Sequence, residues 1–159
     1  MTHTLAISTP SDLEIVMTRV FNAPRVLVFD CWTRPELLKR WMLGPPGTIF
    51  EVCEIDLRVG GGYRFVWRSP DGSQLAMRGI YREIAPPERL ADTQLFDEDW
   101  TGGETEGTLV LTESSGVTTA TNRLRYVSKD ARDGALRSGM EYGMAAGYDR
   151  LDDVLTSMA

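Results

Sequence analysis

The last quarter of the chain constrains the rest most. From Leu136 onward, Leu136, Met140, Gly143, Gly147, Leu151, Val154 and Met158 recur at intervals of three and four, which sets them on one stripe of an α-helix. Arg137, Glu141, Asp149, Asp152 and Asp153 fall mostly off that stripe, so the helix is amphipathic and is no membrane span. The pattern predicts one long helix over residues 130–157, capped by Ser128 or Asp130, with its stripe turned to the core. Gly143 and Gly147 stand at the centre of the stripe, where each is worth about 1 kcal/mol less than alanine. Two reasons compete for them: close approach of another backbone, or a void that admits a guest molecule. Met140 and Met144 suit both, because thioethers adapt to irregular surroundings.

Ahead of this helix the punctuation is clear. Residues 13–21 are β-branched and apolar enough for a strand, and Asn22-Ala23-Pro24 stops it and opens a first helix over 24–32. Thr33-Arg34-Pro35-Glu36 matches a capping box and predicts a second helix over 34–42, ended by Gly44-Pro45-Pro46-Gly47. From Thr48 the period changes to two. Strands are expected over 48–58, 62–68, 74–84, 89–96, 105–113 and 117–127, with turn residues at each joint. Parity puts Tyr63, Phe65 and Trp67 on one face of their strand and Arg64 and Arg68 on the other. It likewise groups Leu75, Met77, Gly79 and Tyr81, then Leu109 and Leu111, then Ala120, Asn122, Leu124 and Tyr126. The fold class expected is α+β: a curved seven-stranded antiparallel sheet wrapped around the C-terminal helix, with two short helices after the first strand.

Length and composition agree with a single domain over 1–159, residues 1–11 forming a flexible tail. The 159 residues, 42% hydrophobic and 25% charged, suffice for a core without disulfides or metal. No export signal is read in residues 1–11, so the expected compartment is the cytoplasm. A net charge of −6 argues against nucleic acid or an anionic membrane as partner. Cys31 and Cys53 form no CxxC and are expected as buried free thiols.

Catalytic chemistry finds little support. Gly60-Gly61-Gly62 has no following Gly-Lys-Ser/Thr and lies between strands, so it reads as a hairpin turn. His3 is the only histidine, which leaves no internal His base for a nucleophile and no His-containing metal cluster. Asp97-Glu98-Asp99 reads as a solvated loop, because consecutive side chains diverge. The alternation Tyr63-Arg64-Phe65-Val66-Trp67-Arg68 reads as an ordinary half-buried strand and no base-stacking platform. No cofactor and no metal are expected.

Several stretches together resemble a known family. FNAPRVLVFDCWTRPELLKRWMLGP, DLRVGGGYRFVWRSPDG, GIYREIAPPERL, FDEDW and ARDGALRSGMEYGMAAGYDRLDDVL are similar to bacterial proteins related to the C-terminal domain of the activator of heat shock protein 90 ATPase. These belong to the START-like helix-grip superfamily (SRPBCC). Asp56 and Arg58 belong to that family's DxRxGG pattern, where an ion pair or turn-fixing role is expected. The resemblance implies a hydrophobic cavity between sheet and long helix, and with it the guest-molecule reading of the glycines. The first functional reading is a non-enzymatic binding module for a small apolar or aromatic ligand, as monomer or homodimer. Its wall is assigned to Trp32, Trp41, Phe65, Trp67, Met77, Tyr81, Phe96, Asn122, Tyr126, Met140, Gly143, Met144 and Gly147. Two alternatives stay open. One is an interaction domain whose partner is a chaperone, the family's activating members carrying a further N-terminal domain for which this chain has no room. The other is a cyclase-like enzyme using Tyr81, Asn122 and Tyr126 as cavity polar groups.

Overall fold

A computed structural model describes residues 3–159. The elements run β1 (Ala6–Ser8), β2 (Glu14–Phe21), α1 (Arg25–Thr33), α2 (Pro35–Leu38), β3 (Ile49–Ile55), β4 (Gly62–Arg68), β5 (Gln74–Ala85), β6 (Arg89–Phe96), β7 (Thr105–Ser114), β8 (Val117–Arg125), α3 (Lys129–Arg137) and α4 (Met140–Met158). The strands form one antiparallel sheet in the order β1-β2-β8-β7-β6-β5-β4-β3, open at β1 and β3. Six of the strands thus follow each other as a meander from β3 to β8, joined by turns of the kind read from the sequence. The α+β class and the sheet-around-helix plan stand.

Three details differ from the sequence reading. The sheet has eight strands, because Ala6–Ser8 pairs with β2 through Ala6↔Thr18, Ile7↔Met17 and Ser8↔Val16. That part of the expected tail is therefore structured, and three residues are too few to show an alternation. Met1 and Thr2, the start of that tail, lie outside the described residues.

The capping box does not form. Thr33 is the last residue of α1, and its hydroxyl donates to the Phe29 carbonyl at 2.9 Å, so it is not free to cap the next helix. Arg34 takes the N-cap position with no side-chain bond, and α2 is four residues long. Turns continue it to Met42, whose amide donates to the Leu38 carbonyl at 3.0 Å. Asn22 does not cap α1, whose N-cap is Pro24 without a side-chain bond.

The long helix is two. Ser128 does cap its start, accepting from the Ala131 amide at 3.1 Å, but α3 stops at Arg137. The Ser138 hydroxyl donates to the Ala135 carbonyl at 2.6 Å, and Gly139 then takes a left-handed φ of 85°, a conformation that glycine adopts without penalty. The break gives α4 its own phase. Its buried residues are Gly147, Tyr148, Leu151, Val154 and Leu155, and one turn back that stripe reaches Met144. Gly143 is therefore exposed, not at the centre of a buried face.

The core has two parts. The larger centres on Phe21, Phe29, Leu38, Trp41, Phe65, Tyr81, Leu111, Tyr148 and Leu151. The smaller holds Ile15, Met17, Leu124, Tyr126, Ala131 and Ala135, and Met144 packs against both. Arg19 lies between Met17 and Phe21 on the inner parity of β2 and is 1% exposed. Its guanidinium donates to Asp149 at 3.2 Å and to Asp152, lies 4.9 Å from the Phe21 ring centroid, and also donates to the Val20 carbonyl. A buried cation is tolerable only when it is so paired. The acidic residues of α4 that fall off its apolar stripe thereby tie the helix to the sheet.

Candidate functional site

The inner face of the sheet is best followed along β4, β5 and β6, where register makes neighbours of residues of equal parity. Phe65 faces Met77, which faces Phe96; Tyr81 faces Asp92, which faces Gly107. Aromatic rings line this face in close series. Tyr63 stacks on Phe65 with centroids 4.7 Å apart, Phe65 meets Trp67 at 5.9 Å, and Phe50 packs on both Phe65 and Trp67. The Trp67 indole N–H is satisfied by the Met42 carbonyl at 2.9 Å.

Among these rings sits a carboxylate. The Tyr63 hydroxyl donates to Asp92 Oδ2 at 2.6 Å, with the Thr93 carbonyl 3.0 Å away, and the Gln94 amide also bonds Asp92. Two glycines make the arrangement possible. A Cβ on Gly79 would overlap the Tyr63 phenol and the Thr93 carbonyl, so only glycine lets the Tyr63 ring cross β5 to reach β6. A Cβ on Gly107 would lie 2.5 Å from Asp92 Oδ1 and 2.7 Å from Gln94 Nε2, so glycine clears the space that the carboxylate and amide occupy.

Burial dominates the electrostatics. It pushes the Asp92 carboxyl up to about 6 against the lowering effect of the Tyr63 and Gln94 bonds, and no cation acts on the group. Burial, with the nearby Asp92 charge, drives the Tyr63 hydroxyl far above its ordinary value. The Tyr81 hydroxyl is raised for the same reasons, with Cys53 also acting on it. Tyr81 is 3% exposed, and its hydroxyl has no hydrogen-bond partner among the described residues. Yet no fully enclosed side-chain nitrogen or oxygen among those residues lacks a partner, so this hydroxyl opens onto accessible space.

The assigned wall divides. Trp32, Trp41 and Gly147 belong to a second aromatic cluster, with Trp41, Tyr148 and Phe21 buried and Trp32 half-buried at its edge: Trp32 lies 4.7 Å from Trp41 and 5.7 Å from Tyr148, and Tyr148 lies 5.7 Å from Phe21. The Trp41 indole donates to the Cys31 carbonyl at 2.9 Å, and an added Cβ on Gly147 would stand 3.5 Å from the Trp41 carbonyl oxygen. Beneath that glycine, Trp41 is the guest. Asn122 bonds Tyr148, while Tyr126, Met140 and Met144 join the smaller core. Phe65, Trp67, Met77, Tyr81 and Phe96 share the β4–β6 face, of which Trp67, Met77 and Phe96 are only half-buried.

Two surface depressions are present, the larger of which reaches Asp92. One of about 490 Å³ is lined by Arg82, Asp92, Glu104, Glu106 and Gly107 among others, and one of about 220 Å³ runs between Trp100 and the start of α3. Neither contains a residue of the assigned wall. Cys31 is buried and Cys53 half-buried, and burial pushes both thiols up to about 11, which leaves them unreactive. Gly60-Gly61-Gly62 turns β3 into β4, with Gly60 at φ 84°, and Arg58 pairs with Asp56 at 2.9 Å.

Asp92 and Gln94 were absent from the assigned wall, although the signal was present. Leu90 and Phe96 fix the inner parity of β6, and the same parity carries positions 92 and 94.

A curved antiparallel sheet folded over a C-terminal helix, with a helix pair after its first long strand, defines the helix-grip class. Within it, the chain belongs to the family described as Activator of Hsp90 ATPase homolog 1-like protein, which matches residues 22–156. It is 31% identical to a protein of Rhodobacter sphaeroides, whose crystal structure superposes with a TM-score of 0.91 over 97% of this chain and 99% of that one. Protein Ms6760 from Mycobacterium smegmatis is 26% identical, with a TM-score of 0.85 over 98% and 99% of the two chains. Protein NE0264 from Nitrosomonas europaea, 24% identical, shares the fold with a TM-score of 0.83 over 94% of this chain and 98% of that one. No curated protein matches the sequence. Among the described residues no helix is long and apolar enough to cross a membrane.

Proposed function

We propose that the chain is a binding module for a small hydrophobic or aromatic molecule, held on the β4–β6 face beneath the first turns of α4. The family is one that commonly binds hydrophobic ligands. The observation that carries the reading is that Trp67, Met77 and Phe96, on the inner parity of their strands, are left half-buried, whereas the equivalent positions Leu109, Leu111 and Ala120 are closed. Apolar surface facing inward and still reachable by solvent gains most from a guest. Met144, which packs against both parts of the core, supplies an adaptable side chain at its margin.

Native mass spectrometry of the protein purified from its own host, set against its denatured mass, tests this. A stoichiometric extra mass lost on denaturation is expected. Met77→Trp, which fills the half-buried face that Met77 shares with Phe65 and Phe96, folds and blocks uptake of that mass. Undiminished uptake by the folded variant removes Met77 from the site, and a bare native mass together with no binding of neutral aromatic probes overturns the reading.

A further inference from the structure

We infer that the ligand site on the β4–β6 face selects a hydrophobic amine, its ammonium group set against Asp92 and its apolar body against the neighbouring rings of Tyr81 and Phe65. The inference rests on the binding reading above and names the class of molecule.

Two independent features point to it. The first is charge. Asp92 is held by two neutral donors, Tyr63 and Gln94, and no cation acts on it. This contrasts with Arg19, the other charged side chain on the inner parity described above, which is paired twice with α4. Hydrogen bonds from neutral donors hold a carboxylate in place, but a buried negative charge gains further from an opposite one. The second feature is the Tyr81 hydroxyl, enclosed as a residue, without a protein partner, and open to accessible space beside Asp92 and Cys53. A primary ammonium has three protons to place. The carboxylate and the phenol oxygen, on cross-strand neighbours, offer acceptors for two of them, and the surrounding aromatic faces attract the same cation through their quadrupoles. A carboxylic acid would meet Asp92 charge to charge. A neutral alcohol satisfies Tyr81 but leaves the carboxylate unpaired.

Titration by tryptophan fluorescence and calorimetry with three probes of matched shape separates these cases: 2-phenylethylamine, 2-phenylethanol and 3-phenylpropionate, all at pH 7.5. The amine is expected to bind about tenfold or more tighter than the alcohol, as an ion pair in a desolvated site allows, and the acid most weakly. Asp92→Asn is expected to remove the amine's advantage and leave the alcohol unchanged. Tyr81→Phe, which keeps the ring and its packing, is expected to weaken the amine several-fold, and it provides a second test if Asp92→Asn fails to fold by circular dichroism. Equal binding of amine and alcohol to the native protein, or an undiminished preference in both variants, overturns the amine assignment and leaves the binding reading standing. Binding of none of the three overturns both.

Discussion

The half of the molecule built on β2, β8, α1 and α4 is closed, while the half built on β4, β5 and β6 is not. Both are aromatic and both carry a charged residue on the inner face of the sheet. In the closed half Trp41 fills the space under Gly147, the indole N–H finds a carbonyl, and Arg19 meets two carboxylates. In the open half Asp92 has neutral partners only, Tyr81 has a spare hydroxyl, and Trp67, Met77 and Phe96 stay half-buried. One surface therefore reads as a core that satisfies itself, the other as a core waiting for a last component.

The largest effect expected of that division comes from truncating one aromatic in each half. Trp41→Ala should cost about 3–5 kcal/mol in urea denaturation, the range for emptying a fully enclosed large side chain. Phe96→Ala, at a half-buried position, should cost roughly 1–2 kcal/mol, since much of its surface is already in water. Equal costs would mean that the β4–β6 face is as tightly packed as the other and would remove the physical basis for a guest there.

Glycines offer a finer cut. Gly79→Ala forces a methyl group into the Tyr63 ring and the Thr93 carbonyl, and a backbone carbonyl cannot be moved by changing a rotamer. A loss of about 3 kcal/mol is expected, accompanied by loss of the Tyr63–Asp92 bond, which the Tyr63→Phe variant would reproduce in part. If Gly79→Ala melts with the native protein, the crossing of Tyr63 over β5 does not hold the site together.

The wide features of the fold were legible because they rest on long-range periodicity. The meander and the amphipathic C-terminal region follow from sustained period-two and three-and-four patterns, and the helix pair from its proline punctuation. What sequence reasoning missed was decided by single contacts. Gly139 is one glycine among several in that region, and only its left-handed φ, after Ser138 has bonded back to Ala135, makes it the break that turns Gly143 outward. Thr33 fits a capping box by residue type, but the end of α1 claims its hydroxyl first. Of the assigned site, Phe65, Trp67, Met77, Tyr81 and Phe96 share a face as parity required. Trp32 and Trp41 were separated from them by packing that no pattern encodes. Asp92 was overlooked because a charged residue in a strand is ordinarily an outward one, and parity alone, which contradicts that habit here, was the better guide.

Asp92 also sets the smallest of these effects, and its sign is the informative part. Burial raises its folded-state value from an ordinary 3.8 to about 6, so the folded protein holds the proton more tightly than the unfolded chain. Below pH 4 both states are protonated and Asp92 costs nothing. As the pH rises from 4 to 6 the unfolded chain ionises first, and the native state loses stability until both are ionised. A shift of this size corresponds to at most about 3 kcal/mol, and water reaching the half-buried carboxylate reduces it to about 1–2 kcal/mol. Asp92→Asn cannot ionise, so urea melts should place the variant near the native protein at pH 4 and above it by that margin at pH 7.5. Saturating 2-phenylethylamine should narrow the gap at pH 7.5 by stabilising the native sequence more than the variant. A variant less stable than the native protein at pH 7.5 without ligand would mean that the carboxylate is already compensated, and the open half would then be as self-sufficient as the closed one.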